Sequence, residues 1–438
     1  MKNWITTLLQ RRLDGLWQHR DFRKLWLSLT ITHFGGQVTF LALPLTAAIM
    51  LQASPLEMGI LTALEALPFA LFGVFAGVLV DRTPKLKLIV WSDIGRGLVL
   101  LAVPVCAWAG WLSMPILYAV GFFVGLGSIV GWPAYQVFMT ERVGRENLVE
   151  ANAKMGVSDS AAQLIGPGMA GALIQWLTAP FAILLDALCF FFSAWILRGI
   201  PPSETDRPKM TARSIWAEMR EGIATIWNNP VLRALAWAIA LWQFLRHAYV
   251  AIVILFATRE LHFSAGHVGV LWMAAGVGAF VAAAVTSRFN ARFGMGRTML
   301  VALTGTGAAW VLVACSTGPY LVASLLFGGG IFLLDLTAMI FFINYLTLRQ
   351  AVTPDALLGR VVATMIGITI STAPLGGIAG GWLAEHIGLR ETLLLTGTAA
   401  LLLAIPVAWF SPLWHMHELP KPEEPLIVES LAEEMAGD

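Results

Sequence analysis

Gly77-Val-Leu-Val-Asp-Arg-Thr-Pro-Lys-Leu-Lys-Leu-Ile-Val-Trp-Ser-Asp-Ile-Gly-Arg96 stands between two long apolar runs. One extends from Met58 to Val80, the other from Leu88 to Ala109. Each is long enough to cross a bilayer, which takes about 20 mostly apolar residues in a helix. The link is short and carries Asp81, Arg82, Lys85 and Lys87. It reads as a tight charged hairpin joining two membrane helices. On this reading Gly77 lets the helices approach closely, Asp81 caps or pairs, and the basic residues hold the turn on the cytoplasmic side.

Composition agrees. The chain has 438 residues, 58% of them hydrophobic and only 13% charged, with a mean hydropathy of +0.74. A soluble protein of that composition would expose too much apolar surface. The runs are about twice the length of barrel strands, so the fold class is an all-α polytopic membrane protein. A net charge of +1 gives no case for nucleic-acid binding. Cys106, Cys189 and Cys315 all lie in apolar runs and show neither a disulfide framework nor metal-ligand spacing. The first long apolar run, from Leu25 to Met50, is too long for the core of a cleaved signal peptide.

In residues 1–24, Trp4, Ile5, Leu8, Leu9, Leu13, Leu16 and Trp17 recur at helical spacing with Arg11, Arg12 and Asp14 between them. This predicts an amphipathic helix on the cytoplasmic membrane face. Twelve spans follow, near 25–50, 57–80, 88–109, 114–138, 152–177, 180–198, 231–257, 267–289, 298–315, 320–347, 359–386 and 391–411. A polar linker, 199–230, expected to be helical over Ala212–Trp227, divides them into six-helix bundles at 25–198 and 231–411. Residues 412–438 read as a cytoplasmic tail.

Charge asymmetry orients the chain. One set of loops carries Arg82, Lys85, Lys87, Arg142, Arg145, Arg198, Arg207, Lys209, Arg288, Arg292, Arg297, Arg349 and Arg360; the other holds little beyond Arg259 and Arg390. The basic side is cytoplasmic, which places both termini inside. The halves read as repeats. Leu148 aligns with Leu357, and Gly166-Pro167-Gly168-Met169-Ala170-Gly171 aligns with Leu375-Gly376-Gly377-Ile378-Ala379-Gly380, at one common offset.

Gly77-x-x-x-Asp81-Arg82-x-Pro84-Lys85 resembles the signature loop between helices 2 and 3 of the major facilitator superfamily, with Pro84 in place of the second glycine. Gly166-Pro167-x-x-Ala170-Gly171 resembles the tail of that superfamily's antiporter motif, found in exporters; the upstream glycines are replaced by Ala153 and Ala162. His19-Arg20-Asp21-Phe22, Trp132-Pro133-Ala134 and Leu185-Asp186-Ala187-Leu188 resemble the branch of macrolide-efflux proteins and enterobactin exporters. The resemblance covers about residues 18–412. It implies two parallel six-helix repeats around a central cavity lined by spans 1, 4, 7 and 10, and a monomer. Many proton-coupled exporters carry an Arg in span 4 four residues before a Gly; here Gly121 precedes Gly125, so a mechanism built on that Arg does not transfer.

Charged groups inside spans are expensive and mark function or pairing. Arg246 in span 7 and Asp335 in span 10 are expected at similar depth, as a pair that breaks on protonation or as a fixed ion pair. Glu65, Asp159 and His33 are further proton-coupling candidates, each with a packing alternative. Asp93 and Arg96, one turn apart, suit an intrahelical pair or a contact with the signature loop. Arg360 is the candidate partner of that loop across the halves. Gln37 extends the polar face of His33. Trp132, Tyr135, Trp242, Gln243, Tyr249, Phe341, Phe342 and Tyr345 are candidates for an aromatic chamber that suits bulky amphipathic compounds.

No phosphate-binding loop, metal-ligand set or nucleophile elbow occurs, so no enzyme and no cofactor is expected. The function expected is a secondary transporter of the bacterial inner membrane. It would export a drug, macrolide or siderophore by alternating access and proton antiport. Uptake or lysolipid flipping on the same fold is the alternative; a non-transporting receptor is the reading from another class.

Overall fold

The computed structural model describes residues 15–201, 215–354, 357–409 and 411–415. Its spans are 1 (Arg20–Leu45), 2 (Pro55–Arg82), 3 (Lys85–Trp108), 4 (Met114–Val143), 5 (Leu148–Leu177) and 6 (Ala179–Arg198), then 7 (Pro230–Leu255), 8 (Ala265–Phe293), 9 (Met295–Ala314), 10 (Tyr320–Ala351) and 12 (Leu389–Trp409). Span 11 consists of two helices, Leu358–Ser371 and Ala373–Ile387, and a linker helix, Ile215–Asn228, precedes span 7. No strand occurs among the described residues.

Eleven of these spans are long and apolar enough to cross a membrane. Span 5 is the exception by composition, not by length: its 30 residues reach about 45 Å at 1.5 Å per residue. Its polar side chains have partners along one edge. Ser158 Oγ accepts from Trp26 Nε1 at 2.8 Å, Asp159 meets His33, and Gln175 Oε1 accepts from Gly266 N–H at 3.3 Å. The helix is polar because it packs against spans 1 and 8, not because it leaves the bundle.

Local chemistry sets the boundaries. Ser54 and Glu57 form a capping box ahead of Pro55, which opens span 2. Ser264 Oγ accepts from His267 N–H at the start of span 8. Gly144 and Gly294 end spans 4 and 8 at φ 78° and 82°, a region natural for glycine. Spans 2 and 4 run further than expected at their basic ends, to Arg82 and Val143. Span 11 breaks at Thr372, just before Pro374, and Thr372 Oγ1 donates to Ala240 O of span 7 at 3.0 Å. Residues 20–24 belong to span 1, not to a separate segment, and Trp17 packs edge-on against Phe22 and Trp26. Residues 1–14 of the amphipathic helix expected over 1–24, linker residues 202–214 and the tail beyond 415 lie outside the described residues.

The halves are repeats, but in a register one residue longer than the composition suggests. Leu148 and Leu358 open spans 5 and 11. The π-helical turns Thr46–Met50 and Phe256–Glu260 end spans 1 and 7. Gln52 and His262, both at positive φ, precede the two serine caps. Each pair is 210 positions apart. Gly166 and Gly171 therefore correspond to Gly376 and Gly381, not to Leu375 and Gly380. Both stretches are dense in small residues, so neighbouring registers look alike until the contacts choose one.

Those contacts form two seams at the end opposite the basic turns. A Cβ on Gly59 of span 2 would lie 2.5 Å from Gly377 O and 2.9 Å from Gly381 Cα of span 11. A Cβ on Gly269 of span 8 would lie 2.4 Å from Pro167 O and 2.7 Å from Gly171 Cα of span 5. Only glycine permits backbones this close. Arg259 Nη2 adds a bond to Ala53 O at 2.7 Å. The buried apolar cluster here runs through both halves and includes Leu41, Leu45, Ile252 and Phe256. Nearer the basic turns it becomes two clusters, one around Leu25 and Phe138, the other around Leu232 and Leu348. Beside Gly77 a Cβ would meet nothing within 4 Å, and the same holds at Gly359 and Gly367 of span 11. Gly77, where spans 2 and 3 were expected to approach closely, thus has no near neighbour, and the contact between the halves lies at the other end.

Candidate functional site

Two adjoining cavities open inside this frame. The first, about 430 Å³, lies among spans 1, 3, 4 and 6 and is lined by His33, Thr39, Asp93, Arg96, Trp132, Tyr135 and Asp186 among others. The second, about 280 Å³, lies among spans 1, 2 and 4 and is closed by Val250, Val253 and Ile254 of span 7 and Trp272 of span 8. Thr39, Phe69, Val124 and Ser128 line both.

A buried polar network forms one wall of the first cavity. Arg96 Nη2 donates to Asp93 Oδ1 at 2.6 Å, and Ser193 Oγ donates to Asp93 Oδ2 at 2.5 Å. The Ser28 and Ser193 hydroxyls lie 2.5 Å apart. The Arg96 guanidinium sits 4.2 Å from the Phe190 ring centroid. Span 4 makes room for it with glycines: a Cβ on Gly127 would lie 2.6 Å from Arg96 Cγ, and one on Gly131 2.6 Å from Ser92 Oγ. Thr39 Oγ1 donates to Asp186 Oδ2 at 2.5 Å. Asp186 Oδ1 and Arg96 Nε are buried without a hydrogen-bond partner. Asp93 and Arg96 thus pair within their helix, two turns in from its start.

Glu65 lines the second cavity and makes no hydrogen bond or ion pair with any described residue. Gly121 gives it its place, since a Cβ there would lie 3.0 Å from Glu65 Cγ. A Cβ on Gly125 would lie 2.5 Å from Glu65 O. The absence of a side chain at Gly121 leaves the space that Glu65 fills. His33 and Asp159 are brought together, with Nδ1 and Oδ1 3.0 Å apart, and Gln163 Nε2 donates to Asp159 Oδ2 at 2.9 Å. The His33 ring stacks on Trp132, with centroids 5.8 Å apart.

A family profile described as a transmembrane secretion effector matches residues 16–436. The chain belongs to that family, within the major facilitator superfamily. It is a multi-pass membrane transporter of small molecules, not an enzyme. Over 391 residues it is 28% identical to the multidrug efflux pump Tap of Mycolicibacterium fortuitum, covering 86% of this chain and 92% of that one. It is 25% identical to the enterobactin exporter EntS of Citrobacter koseri, covering 84% and 87%. The fold is that of a bacterial homologue of the iron transporter ferroportin solved in its inward-facing state, with TM-score 0.69, 18% identity and coverage of 89% and 98%.

The remaining site candidates of this family member are spread over both halves. Trp132 and Tyr135 line the first cavity, and Tyr135 also donates to Leu25 O at 2.8 Å. Gln37 packs against Gly166, where a Cβ would lie 2.5 Å from Gln37 Cγ. Gly166, Pro167 and Gly171 therefore hold span 5 against spans 1 and 8. In the second half, Trp242, Gln243, Tyr249, Phe341, Phe342 and Tyr345 line neither cavity. Tyr249 is buried and stacks on Trp310 at 4.9 Å; Trp242, Phe341 and Tyr345 form a packed row, with Phe342 against Tyr345. The aromatic wall of the cavities is supplied by the first half and by Trp272.

Arg246 and Asp335 interact electrostatically without an ion pair of 4 Å or less. The Arg246 guanidinium lies 5.8 Å from the Trp242 ring centroid instead. At the basic end Arg82 is exposed, Lys85 Nζ donates to Thr83 O at 3.3 Å, and Arg360 Nη1 is held by Glu221 Oε2 of the linker helix at 2.6 Å. The Asp81 side chain lies outside the described groups. Sequence reading missed the hydroxyl partners Ser28, Thr39 and Ser193. Small hydroxyls bond to their own helix at little cost, so they raise no signal in an apolar span.

Proposed function

We propose that this chain exports an amphipathic small molecule across the bacterial inner membrane by alternating access, driven by proton antiport. The observation that carries the reading is Glu65: a carboxyl without a partner among the described residues, in a cavity to which both halves contribute walls. A carboxyl so placed suits a proton carrier that gives up its proton when substrate or solvent arrives. The partial antiporter motif and the exporters among the relatives support outward movement. The excess of Lys and Arg at one end supports a cytoplasmic basic side with both termini inside. On that orientation the glycine seams close the outer side and the cavities are reached from the cytoplasm, a state ready to load. The protein is read as a monomer.

The test is transport in proteoliposomes under an imposed pH gradient with a panel of amphipathic compounds. Wild type is compared with Glu65→Gln and Asp335→Asn. Compound should move against the proton flow, and Glu65→Gln should abolish the gradient dependence. Movement with the proton flow would make the protein an importer. Movement indifferent to the gradient would point to facilitated diffusion or lipid flipping, and Glu65 would revert to structure.

A further inference from the structure

We infer that the linker helix, Ile215–Asn228, is a membrane-surface element that takes the headgroups of anionic phospholipids on Arg220 and Arg233 and sets Ile223 and Trp227 into the bilayer beneath them. The interaction is independent of the direction in which substrate moves.

One flank of the helix is fixed to the protein. Ile226 is buried in the cluster that includes Val361 and Met365 of span 11. A Cβ on Gly222, one turn earlier, would run into Thr364 Oγ1 and lie 3.0 Å from Arg360 O, so the helix rests directly on span 11. Glu221 adds its ion pair with Arg360 at 2.6 Å. These contacts set the rotation of the helix about its own axis. Ile223 and Trp227 each follow a buried position by one residue, so their row lies about 100° around from the docked one. Trp227 is 57% exposed and Ile223 47%. Arg220, three positions before Ile223, stands on the same flank. It is exposed and has no hydrogen bond or ion pair with another described residue.

Span 7 shows what that flank faces. Arg233, Trp237 and Leu241 recur every four residues and form one exposed row. Val250, Val253 and Ile254, which close the smaller cavity, fall on the far side of the same helix. The row therefore faces the bilayer. Arg233, at its basic end, donates from Nη1 to Trp227 O at 3.0 Å. That bond sets the end of the linker helix beside the lipid-facing side of span 7. Tryptophan favours this depth, where an apolar ring meets a wet surface. Neither Arg220 nor Arg233 has a carboxylate partner among the described residues, because Glu221 is held by Arg360. Two guanidiniums with donors to spare at the level of the headgroups suit lipid phosphate.

Bimane on a single cysteine reports where each flank lies, in the full chain with its three native cysteines changed to Ala. Ile223→Cys carries it on the membrane flank and Asn228→Cys on the polar one. The protein is placed in nanodiscs of phosphatidylcholine, alone or mixed in equal parts with phosphatidylglycerol. Quenching is read with a lipid bearing a nitroxide near its headgroup and, in phosphatidylcholine alone, with iodide in the buffer. The lipid nitroxide should quench the Ile223→Cys label several-fold more than the Asn228→Cys label, and iodide should reverse the order. Phosphatidylglycerol should strengthen lipid quenching of the Ile223→Cys label several-fold. Arg220→Gln with Arg233→Gln should remove that gain, since each charge near an anionic surface contributes about fivefold. The comparison of labels leaves both arginines in place, so it stands even if the double variant folds poorly. Equal iodide quenching of the two labels would show the flank bathed in water, and protection of Ile223→Cys from both quenchers would show a protein partner; either overturns the inference. A gain that survives both arginine substitutions would overturn it as well. Loss of the gain on adding glycerol 1-phosphate would assign the arginines to a soluble phosphate and overturn the lipid assignment.

Discussion

The Glu385 carboxylate, near the end of span 11, accepts the backbone N–H of Leu56 at the start of span 2 at 2.9 Å. Its repeat mate Gln175 does the same for Gly266 at the start of span 8. Each helix thus has one of its otherwise unfilled N-terminal donors satisfied by the opposite half. The two closures are alike in geometry and unlike in strength, since a carboxylate is the stronger acceptor and also favours the positive end of a helix. Glu385→Ala should therefore loosen the glycine-seam end more than Gln175→Ala. The readout is a single cysteine, Thr62→Cys, in a chain whose three native cysteines are Ala. A membrane-impermeant maleimide added on the seam side should label it several-fold faster with Glu385→Ala and less so with Gln175→Ala. Equal rates would show that the caps do not hold the seam.

The seams themselves predict a sharper effect. Valine at Gly59 cannot keep its Cβ 2.5 Å from Gly377 O, so the halves must separate at that end. Overpacking of this kind costs about 1–3 kcal/mol, enough to shift a two-state equilibrium about tenfold or more. Each half has its own cluster near the basic end, so the protein should still fold. Gly59→Val should preserve helix content by circular dichroism, raise Thr62→Cys labelling from the seam side, and reduce transport about tenfold. The same change at Gly77, where a Cβ meets nothing within 4 Å, should leave the labelling unchanged.

How much of this was legible in the sequence depends on what each residue had to reveal. The spans were, because about 20 apolar residues between breakers have little other use. Glycine density in spans 5 and 11 pointed to close packing, but not to the partners, and the composition allowed a register one residue off. Glu65 and Asp159 drew attention because charge in a span is costly, yet nothing linear linked Asp159 to His33, 126 positions away. The second-half aromatics misled for the opposite reason: an aromatic at helical spacing fits a packed row as well as a cavity wall. Gly121 was noticed for the Arg it lacks, and only the packing reveals the space it leaves for Glu65.

Arg96 depends on the absence of side chains across from it. Gly127→Ala would put a Cβ 2.6 Å from Arg96 Cγ and push the guanidinium off Phe190 and away from Asp93. Asp93 is 3% exposed and would keep only its Ser193 hydroxyl. The expected loss is about 2 kcal/mol of stability, from overpacking and a weakened buried pair. Thermal unfolding in detergent should fall by several degrees. Gly95→Ala, on the same span 3 as Arg96 but open to space, should have no such effect.

The His33–Asp159 contact ties span 1 to span 5 with side chains about one-fifth and one-half exposed. Solvent screens a pair this open, so its coupling should be small, about 0.5 kcal/mol. A double-mutant cycle of His33→Gln and Asp159→Asn on unfolding should return that value. A coupling several-fold larger would mean that the pair is shielded from solvent and holds the two spans together.

Gly121→Arg tests the cavity from the other side. The new side chain would start 3.0 Å from Glu65 Cγ and extend into the smaller cavity. A guanidinium beside an unpartnered carboxyl should capture it as a bidentate pair. That pair would remove the free carboxyl on which the proposed proton exchange depends. Two effects should appear together: gradient-driven transport should fall about tenfold or more, and modification of Glu65 by dicyclohexylcarbodiimide should slow. Gly121→Leu fills similar space without charge and separates the causes. It should slow transport through bulk but leave the carboxyl reactive. If both substitutions slow modification equally, occlusion and not charge capture accounts for the loss, and Glu65 is then a packing residue of spans 2 and 4.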